Sequence, residues 1–473
     1  MKRTIIIIIA ILCLSLLKIH SQNNFTGISE IDSIFQNQIE EKSPGCVVGV
    51  IKDGLFIHKK AYGLANLDYE IPLTTSSVFR IASTSKQFTA ACIFLLEKQG
   101  KLSLDDDIRN YLKNFPFYGD IIRIRHLVHH TSGLRDYTGL IYLLGVEDDY
   151  QYTPNDLYQL IIRQKEPDFK PGEQFCYSNT GYFLLARIVE SVAGTSLNEF
   201  ARANLFAPLH MSNTHFHDNH KMVVKNRAYG YGYNGNAYEI SMSNNDVVGD
   251  GGIFTTLEDL RKWDENFYSH KVGGVELVEK MTTLGTLNDG SQIPYAGGLY
   301  IRNYRGLRKV NHTGSYAGFK SSIAQFPEEK VTIIILANNP NISPPLLSNK
   351  IADIILKDKL DPETTPQKRE PSIKSKTAEN QKIPIEIMKA LAGEYYSSEL
   401  NFKYEIFIEK EKAYCRIGNN KVEQLHLKNK NQLMVGEYVS LNPIWDKATR
   451  TVSSFTLSVG DSKNIIFKKI NYK

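Results

Sequence analysis

The stretch Phe79-Arg-Ile-Ala-Ser-Thr-Ser-Lys86 places a serine and a lysine three residues apart, directly before a helical pattern. The apolar residues that follow recur at the spacing of an amphipathic helix. They are Phe88, Ala91, Cys92, Leu95 and Leu96. Ser83 therefore starts a helix, where the helix dipole favours developing negative charge near its hydroxyl and backbone N–H. Lys86 lies one turn further along the same face, which brings its amine within reach of that hydroxyl.

The Ser83–Lys86 pair has a catalytic and a structural interpretation. A serine hydroxyl is a poor nucleophile until a base takes its proton, and lysine can do so only when burial or a neighbouring cation lowers its pKa. Alternatively, Ser83 is an N-cap and Lys86 a solvated charge. Ser-x-x-Lys alone is weak evidence, because a second copy lies at Ser15 to Lys18 in an apolar run. Tyr177-Ser-Asn179 and His312-Thr-Gly314, however, each occur once and follow in the order that a serine acyltransferase would use.

Tyr177 and Asn179 follow a Pro-Gly turn and precede a helix predicted over residues 180–192. A phenol titrates near pH ~10, so Tyr177 can act as a base only if Lys86 or another cation stabilises the phenolate. The two groups would titrate as a coupled pair, and the sequence leaves open which of them holds the proton. Asn179 would hold Lys86 or a substrate carbonyl, or cap the helix. The alternative for Tyr177 is a buried tyrosine with a hydrogen-bonded hydroxyl.

His312-Thr313-Gly314-Ser315 is predicted to be an edge strand that faces the same cleft. Because Gly314 has no side chain, an extended substrate could approach this edge and pair with it through main-chain hydrogen bonds. The N–H of Ser315 would join that of Ser83 as a second oxyanion donor. His312 would carry a proton or hydrogen-bond a substrate oxygen, although a lone histidine in a strand is as often structural.

The region 28–356 carries β signals at both ends and helical patterns between them. Residues 46–51 and 55–58 flank an Asp-Gly turn, and residues 331–337 form a matching apolar run. We therefore expect an α/β (α+β) fold in which an antiparallel sheet is flanked by helices and accompanied by a helical subdomain.

The C-terminal part of the chain changes character twice. Residues 358–384 are rich in Pro, Lys and Ser, as a linker is. The remaining residues alternate with period two in short runs, which predicts a small all-β domain, either barrel-like or a sandwich. The predicted division is a signal peptide at 1–21, a hydrolase-type domain at 22–357, a linker at 358–384 and a β domain at 385–473.

The N-terminus predicts export. Met1-Lys-Arg3 precedes an apolar run over residues 4–17, and cleavage is expected near Ser21. The protein would then be periplasmic or secreted. An uncleaved anchor is the weaker alternative, because the run is shorter than the roughly 20 residues that a spanning helix needs. It is the only membrane association that the sequence predicts.

Charge, cysteine and histidine content argue against several other classes. The formal net charge is +5, and removing 1–21 deletes three basic residues and no acid, which leaves +2 and no nucleic-acid footprint. The later cysteines have no metal or redox spacing, and four histidines between 210 and 220 lack a water-positioning motif, so no metal is expected.

Gly230 to Gly235 fits a dinucleotide motif but reads better as a hairpin turn. No organic cofactor is expected either.

Three motifs resemble those of the serine β-lactamase-like superfamily, in the branch of class C β-lactamases, D-alanyl-D-alanine carboxypeptidases and esterases. They are Phe79–Lys86, Tyr177–Asn179 and His312–Gly314. The resemblance covers about residues 30–356 and implies that Ser83 is acylated. By the same resemblance, Lys86 and Tyr177 exchange protons with Ser83 and the leaving group. The backbone amides of Ser83 and Ser315 would hold the oxyanion.

One departure from the family pattern concerns the substrate. The β-lactamases and carboxypeptidases of this branch usually carry a lysine that helps to anchor a substrate carboxylate where this chain has His312. Histidine at this position resembles the esterase, D-aminopeptidase and unassigned peptidase members of the family. Separately, the region after the linker resembles a lipocalin-like domain. We therefore expect a serine hydrolase acting on a small peptide, amide or ester, such as a D-amino-acid-containing peptide derived from the cell wall. The competing hypotheses are a non-catalytic binding protein with this fold and, among enzymes, a β-lactamase.

Overall fold

The computed structural model describes residues 27–146, 151–362, 383–418, 421–429, 432–446 and 451–470. The predicted signal peptide and most of the predicted linker lie outside these residues. Among the described helices, none has both the length and the apolar character that crossing a membrane requires.

Along the chain, most helices of the described residues occur between the N-terminal and the C-terminal strands of the central sheet. The α-helices are α1 (Ile28–Gln36), α2 (Lys86–Lys98), α3 (Ile124–Val128), α4 (Tyr137–Leu143), α5 (Pro154–Ile162), α6 (Asn179–Ala193), α7 (Leu197–Ala201), α8 (Leu257–Ser269), α9 (Gly274–Thr282), α10 (Pro344–Ile355) and α11 (Ile385–Leu391). Other helical turns are Ala82–Ser85, Ile108–Asn110, Arg202–Phe206 and Pro327–Glu329.

The strands form a central sheet, a C-terminal barrel and small ribbons. They are β1 (Cys46–Lys52), β2 (Leu55–Tyr62), β3 (Leu64–Asn66), β4 (Ile71–Pro72), β5 (Phe79–Arg80), β6 (His215–Phe216), β7 (Tyr231–Tyr233), β8 (Tyr238–Ile240), β9 (Ile253–Thr255), β10 (Tyr300–Tyr304), β11 (Leu307–Tyr316), β12 (Phe319–Phe326), β13 (Val331–Ala337), β14 (Gly393–Ser397), β15 (Phe402–Glu409), β16 (Lys412–Ile417), β17 (Lys421–Asn429), β18 (Gln432–Val435), β19 (Val439–Trp445), β20 (Val452–Val459) and β21 (Ser462–Lys469).

The central sheet is antiparallel, with strand order β10-β11-β12-β13-β1-β2. The pairing of β1 with β13 confirms that the two ends of the domain build one sheet. β10 pairs with β11 only from Leu307 to Asn311. In the described structure, therefore, no strand covers that side of β11 from His312 to Tyr316, and this open edge faces the region of Ser83.

Both faces of the sheet are covered, which explains the continuous apolar runs of β1 and β13. On one face, α1 and α10 pack against the strands through Ile31, Phe35, Leu347 and Ile351. The helical subdomain covers the other face. At its centre α2 is buried from its first residue through Leu96 and packs against α6, the helix predicted over 180–192. The predicted fold class is confirmed.

The C-terminal domain is a closed barrel of eight antiparallel strands, β14 to β21, in which β14 also pairs with β21. Closure removes the exposed sheet edges that a sandwich would leave. The barrel core contains four packed aromatic rings, from Tyr395, Tyr404, Phe455 and Phe467. The alternating pattern predicted either a barrel or a sandwich, and the structure shows the barrel.

The barrel packs against the segment between α3 and α4, and a buried ion pair anchors it. Arg135 Nη1 lies 2.5 Å from Glu399 Oε1, and the two side chains are only 1% and 4% exposed. Next to this pair, the Ser462 hydroxyl donates a hydrogen bond to the carbonyl oxygen of Asp136 at 3.0 Å. Because two charges are desolvated here, the interface depends on these hydrogen bonds being kept.

Candidate active site

Ser83 lies on a tight turn between β5 and α2 that several hydrogen bonds hold in place. Ala82, the residue before it, has φ of 48°, in the left-handed region that costs a non-glycine residue free energy. The hydroxyl of Ser321 on β12 donates to the Ile81 carbonyl oxygen at 2.7 Å and lies 2.8 Å from the Thr84 hydroxyl. The surrounding strands therefore fix the turn, while Ser83 itself remains partly exposed.

Lys86 is the first residue of α2 and is fully buried. Its Nζ donates to Ser83 Oγ at 3.2 Å, to Asn179 Oδ1 at 2.8 Å and to the carbonyl oxygen of Asp250 at 2.6 Å. Burial lowers the pKa of this amine to about 8, against the opposing influence of the nearby Asp250 and Asp136 carboxylates. A substantial neutral fraction is therefore available near neutral pH, as a base for Ser83 requires.

Tyr177 packs beside the same amine. The Lys86 Nζ lies 4.9 Å from the centre of the tyrosine ring. Burial raises the pKa of Tyr177, and a side-chain hydrogen bond with Ser83 opposes this rise. The phenol is thus held in its protonated form next to the nucleophile, whereas burial favours the uncharged form of the lysine.

His130 supports the Tyr177 loop, a role that local sequence patterns do not indicate. Its backbone carbonyl accepts a hydrogen bond from Cys176 N at 2.9 Å, and its Nδ1 accepts one from Ser178 N at 3.0 Å. The ring also packs on that of Tyr177, with the two centres 4.2 Å apart. A histidine flanked by Thr-Ser-Gly is therefore a positioning residue here, and only the tertiary contacts reveal it.

Two carboxylates that sequence reasoning missed complete the cluster. Asp136 caps α4 by accepting from Thr138 N at 2.8 Å, and its other oxygen accepts from the backbone N–H of Asn179. The side-chain carboxylate of Asp250 accepts a hydrogen bond from the Tyr137 hydroxyl at 2.6 Å. Its backbone carbonyl oxygen accepts one from the Lys86 amine. The carboxylate of Asp136 thus fixes the start of the helix that presents Asn179, whereas Asp250 holds the Lys86 amine through its backbone carbonyl.

Gly314 has a role that differs from the one predicted. A Cβ at this position would overlap the carbonyl oxygen of Ile81 and crowd the hydroxyl of Ser321. The glycine is therefore needed so that β11 can pack against the nucleophile turn, which leaves the open strand edge beside Ser83. Ser315, the next residue, is exposed and lines the same cavity as Ser83.

His312 differs from the expectation of a substrate contact. It is 2% exposed, its Nε2 lies 3.1 Å from the Tyr295 hydroxyl, and its Nδ1 lies 2.7 Å from the Thr313 carbonyl oxygen. Burial lowers its pKa to about 3, so the ring is neutral at physiological pH. Both nitrogens contact protein atoms, and the histidine ties β11 to Tyr295, whose ring packs against the rings of His130 and Tyr177.

Ser83 opens into a cavity of about 140 Å³. Besides Ser83, its walls include Arg80, Asn179, Asp250, Ser315 and Tyr316. A second, larger groove of about 470 Å³ meets Tyr177 and Asn179 from the other side. Tyr438 and residues 459–462 of the barrel form one wall of this groove. The barrel therefore contributes to the surroundings of the site, which the sequence could not show.

No group of three or more His, Cys, Asp or Glu side chains in the described residues has the arrangement of a metal site. His215 Nε2 and His217 Nδ1 lie 3.1 Å apart, but they pack on Phe254 and do not form part of such a group.

This fold and site define a serine hydrolase of the β-lactamase type. The Beta-lactamase family profile matches residues 31–354, and the chain belongs to this family. A similar characterised relative is Penicillin-binding protein 4* of Bacillus subtilis (strain 168), 30% identical over 325 residues, which are 65% of this chain and 71% of that protein. The D-aminopeptidase of Brucella anthropi is 29% identical over 298 residues, 63% of this chain but only 56% of that enzyme.

Solved structures agree on the fold. The octameric penicillin-binding protein homologue from Pyrococcus abyssi superposes with a TM-score of 0.63 at 24% identity, over 93% of this chain and 100% of that one. The D-amino acid amidase from Ochrobactrum anthropi SV3 has a TM-score of 0.58 at 22% identity, over 71% of this chain and 97% of that one. The predicted superfamily resemblance is confirmed.

Proposed function

We propose that this protein forms an acyl-enzyme on Ser83 and hydrolyses peptide, amide or ester bonds, with D-amino-acid-containing peptides as its substrates. The observation that carries the proposal is the contact of Lys86 Nζ with both Ser83 Oγ and Asn179 Oδ1, beside Tyr177. A non-catalytic binding protein would have no need for a fully buried lysine whose pKa burial lowers to about 8.

In the proposed acylation step, neutral Lys86 takes the proton of Ser83 as Oγ attacks the substrate carbonyl carbon. The backbone N–H groups of Ser83 and Ser315 hold the oxyanion. As the tetrahedral intermediate collapses, the Tyr177 hydroxyl gives its proton to the leaving nitrogen or oxygen and takes one from Lys86. Water then attacks the carbonyl carbon of the Ser83 ester, with Lys86 accepting its proton. As the C–Oγ bond breaks, Lys86 returns that proton to Ser83 Oγ, which frees the acid product and restores the neutral amine.

The open edge of β11 supports an extended peptide as the substrate. From His312 to Tyr316 no described strand pairs with this side of β11, so its main-chain groups can pair with a peptide in the manner of an added strand. Relatives named as a penicillin-binding protein and as D-aminopeptidases favour D-amino acid substrates, including peptides of cell-wall origin. A β-lactamase is less favoured, because buried His312 cannot serve as a lysine-like carboxylate anchor.

Export remains part of the proposal. It rests on the basic start and apolar run of residues 1–21, and a periplasmic or secreted enzyme would meet cell-wall peptides directly. N-terminal sequencing of the mature protein from culture fractions tests it. A start near residue 22 is expected, whereas an intact N-terminus in the cytosolic fraction would overturn it.

The catalytic proposal is tested by incubating the purified protein and Ser83→Ala with D-aminoacyl amides, their L counterparts, short esters and a chromogenic cephalosporin. We expect turnover of D-amides or esters and an intact-mass adduct that Ser83→Ala lacks. Absence of any Ser83-dependent adduct would support a pure binding protein. Efficient turnover of the cephalosporin alone would support the β-lactamase alternative.

A further inference from the structure

Arg80 places a buried positive charge in the wall of the Ser83 cavity. It lies on β5, three residues before the nucleophile, and is only 6% exposed. Its guanidinium lies 4.8 Å from the centre of the Tyr316 ring, and its Nε has no hydrogen-bond partner. A buried arginine normally forms ion pairs or several hydrogen bonds, so an unpartnered nitrogen indicates a missing partner.

The Asp250 carboxylate is one candidate counter-ion, since its charge favours the protonated form of Arg80, but its hydrogen bond is made elsewhere. Asp250 lines the same cavity, but its carboxylate accepts a hydrogen bond from the Tyr137 hydroxyl at 2.6 Å. Its backbone carbonyl accepts a hydrogen bond from the Lys86 amine. Within the described residues, no carboxylate oxygen comes within 4.0 Å of the Arg80 guanidinium. The guanidinium therefore faces a cavity shared with Ser83 without the planar acceptor that its donors match.

We infer that this cavity is an anion subsite, in which Arg80 binds a carboxylate of the same molecule that acylates Ser83. The inference rests on the proposed function and narrows its substrate class to peptides or amides that carry a free carboxylate. A guanidinium and a carboxylate form two parallel charge-assisted hydrogen bonds, and this pairing would give the guanidinium of Arg80 the acceptor that it lacks.

The size and position of the cavity restrict the ligand. A volume of about 140 Å³ admits a carboxylate with a few neighbouring atoms but not a large second group. Ser315 and Tyr316 continue from the open edge of β11 into this cavity, so a peptide paired with that edge would bring a substituent towards Arg80. The carboxylate would be either the C-terminus of a short peptide or the side chain of an acidic residue.

Matched substrate pairs distinguish these two sources. D-alanyl-D-alanine is compared with D-alanyl-D-alaninamide, and a D-glutamyl anilide with the D-glutaminyl anilide. Wild type is expected to prefer the charged member of one pair by about 10- to 100-fold in kcat/KM, as loss of a hydrogen bond to a charged group implies. Preference in the first pair assigns a C-terminal carboxylate, and preference in the second assigns a side chain.

Arg80→Gln should remove that preference mainly by raising KM for the charged member, with Arg80→Lys intermediate. Arg308→Gln, which changes a half-exposed arginine on β11 outside the cavity, is the control and should behave as wild type. Equal losses on both members of a pair would show that Arg80 is structural and overturn the inference.

A second measurement uses only the wild-type protein, in case the Arg80 variants do not fold. N-acetyl-D-alanine should protect Ser83 from a neutral acylating probe at concentrations where N-acetyl-D-alaninamide does not. Equal protection by the two compounds would contradict the anion subsite. If the neutral probe forms no Ser83 adduct at all, the proposed function fails; if the adduct forms without any effect of charge, only this inference fails.

Discussion

The pH dependence of Ser83 acylation tests the assignment of Lys86 as the base. The reaction needs the neutral amine, and the neutral fraction increases as pH rises through the pKa. With a pKa of about 8, about a tenth of the amine is neutral at pH 7 and about nine-tenths at pH 9. We therefore expect the acylation rate constant to rise about tenfold between these two pH values and then to level off.

The assay follows adduct formation with a neutral activated ester by intact mass, so that the charge of the probe does not change with pH. Buried His312, with its pKa lowered to about 3, should add no inflection between pH 5 and 8. Lys86→Met should lower the rate by at least ~10²-fold and remove the dependence. Tyr177→Phe should lower the rate by a similar factor but keep the midpoint near pH 8.

Two results would refute this assignment. A rate that is constant or falling from pH 7 to 9 would show that neutral Lys86 is not the base. Loss of the midpoint in Tyr177→Phe, with its retention in Lys86→Met, would transfer the base role to the tyrosine. A melting temperature measured across the same pH range controls for unfolding.

Two further predictions concern stability. Gly314→Ala should lower the free energy of unfolding by about 1–3 kcal/mol, because its Cβ would overlap the Ile81 carbonyl oxygen. Thermal melts would show this against Gly232→Ala, whose Cβ meets only an ordinary contact, and equal melts for the two variants would contradict it. Glu399→Gln should destabilise the protein by about 1–3 kcal/mol, because it removes the charged partner that lies 2.5 Å from buried Arg135 and leaves only Glu166 and Asp168, at 3.5 and 3.6 Å, as counter-ions. Calorimetry compares it with exposed Glu409→Gln, and indistinguishable transitions would show that the buried pair does not stabilise the interface.

The elements that sequence could predict are those with a strong local pattern. Helix α2 follows from apolar spacing, α6 was expected within one residue at each end, and the β1–β13 pairing follows from apolar runs at both ends of the domain. The approach of Lys86 to Ser83 also follows from helical geometry, since three residues make nearly one turn.

The rest of the site depends on long-range contacts that leave little trace in a sequence. The carbonyl of Asp250 that holds Lys86 is a backbone group that any residue would provide. His130 acts through a backbone carbonyl and one ring nitrogen on a loop more than forty residues away. At Gly314 the group that approaches closely is the Ile81 carbonyl, which local sequence does not indicate, and the approach of a substrate to this strand edge stays a prediction.

The docking of the barrel limits how the chain can be divided. The backbone carbonyl of Asp136 accepts a hydrogen bond from the Ser462 hydroxyl of the barrel, and its carboxylate accepts one from Asn179 N, so one residue joins the C-terminal barrel to the lysine pocket. Cutting the chain after residue 357 would remove one wall of the groove beside Tyr177 and Asn179 and expose Arg135 at the same time. A form that ends at residue 357 therefore differs from the intact chain in the surroundings of Tyr177 and Asn179 as well as in lacking the barrel. Comparing the activities of the two forms cannot isolate the role of the barrel.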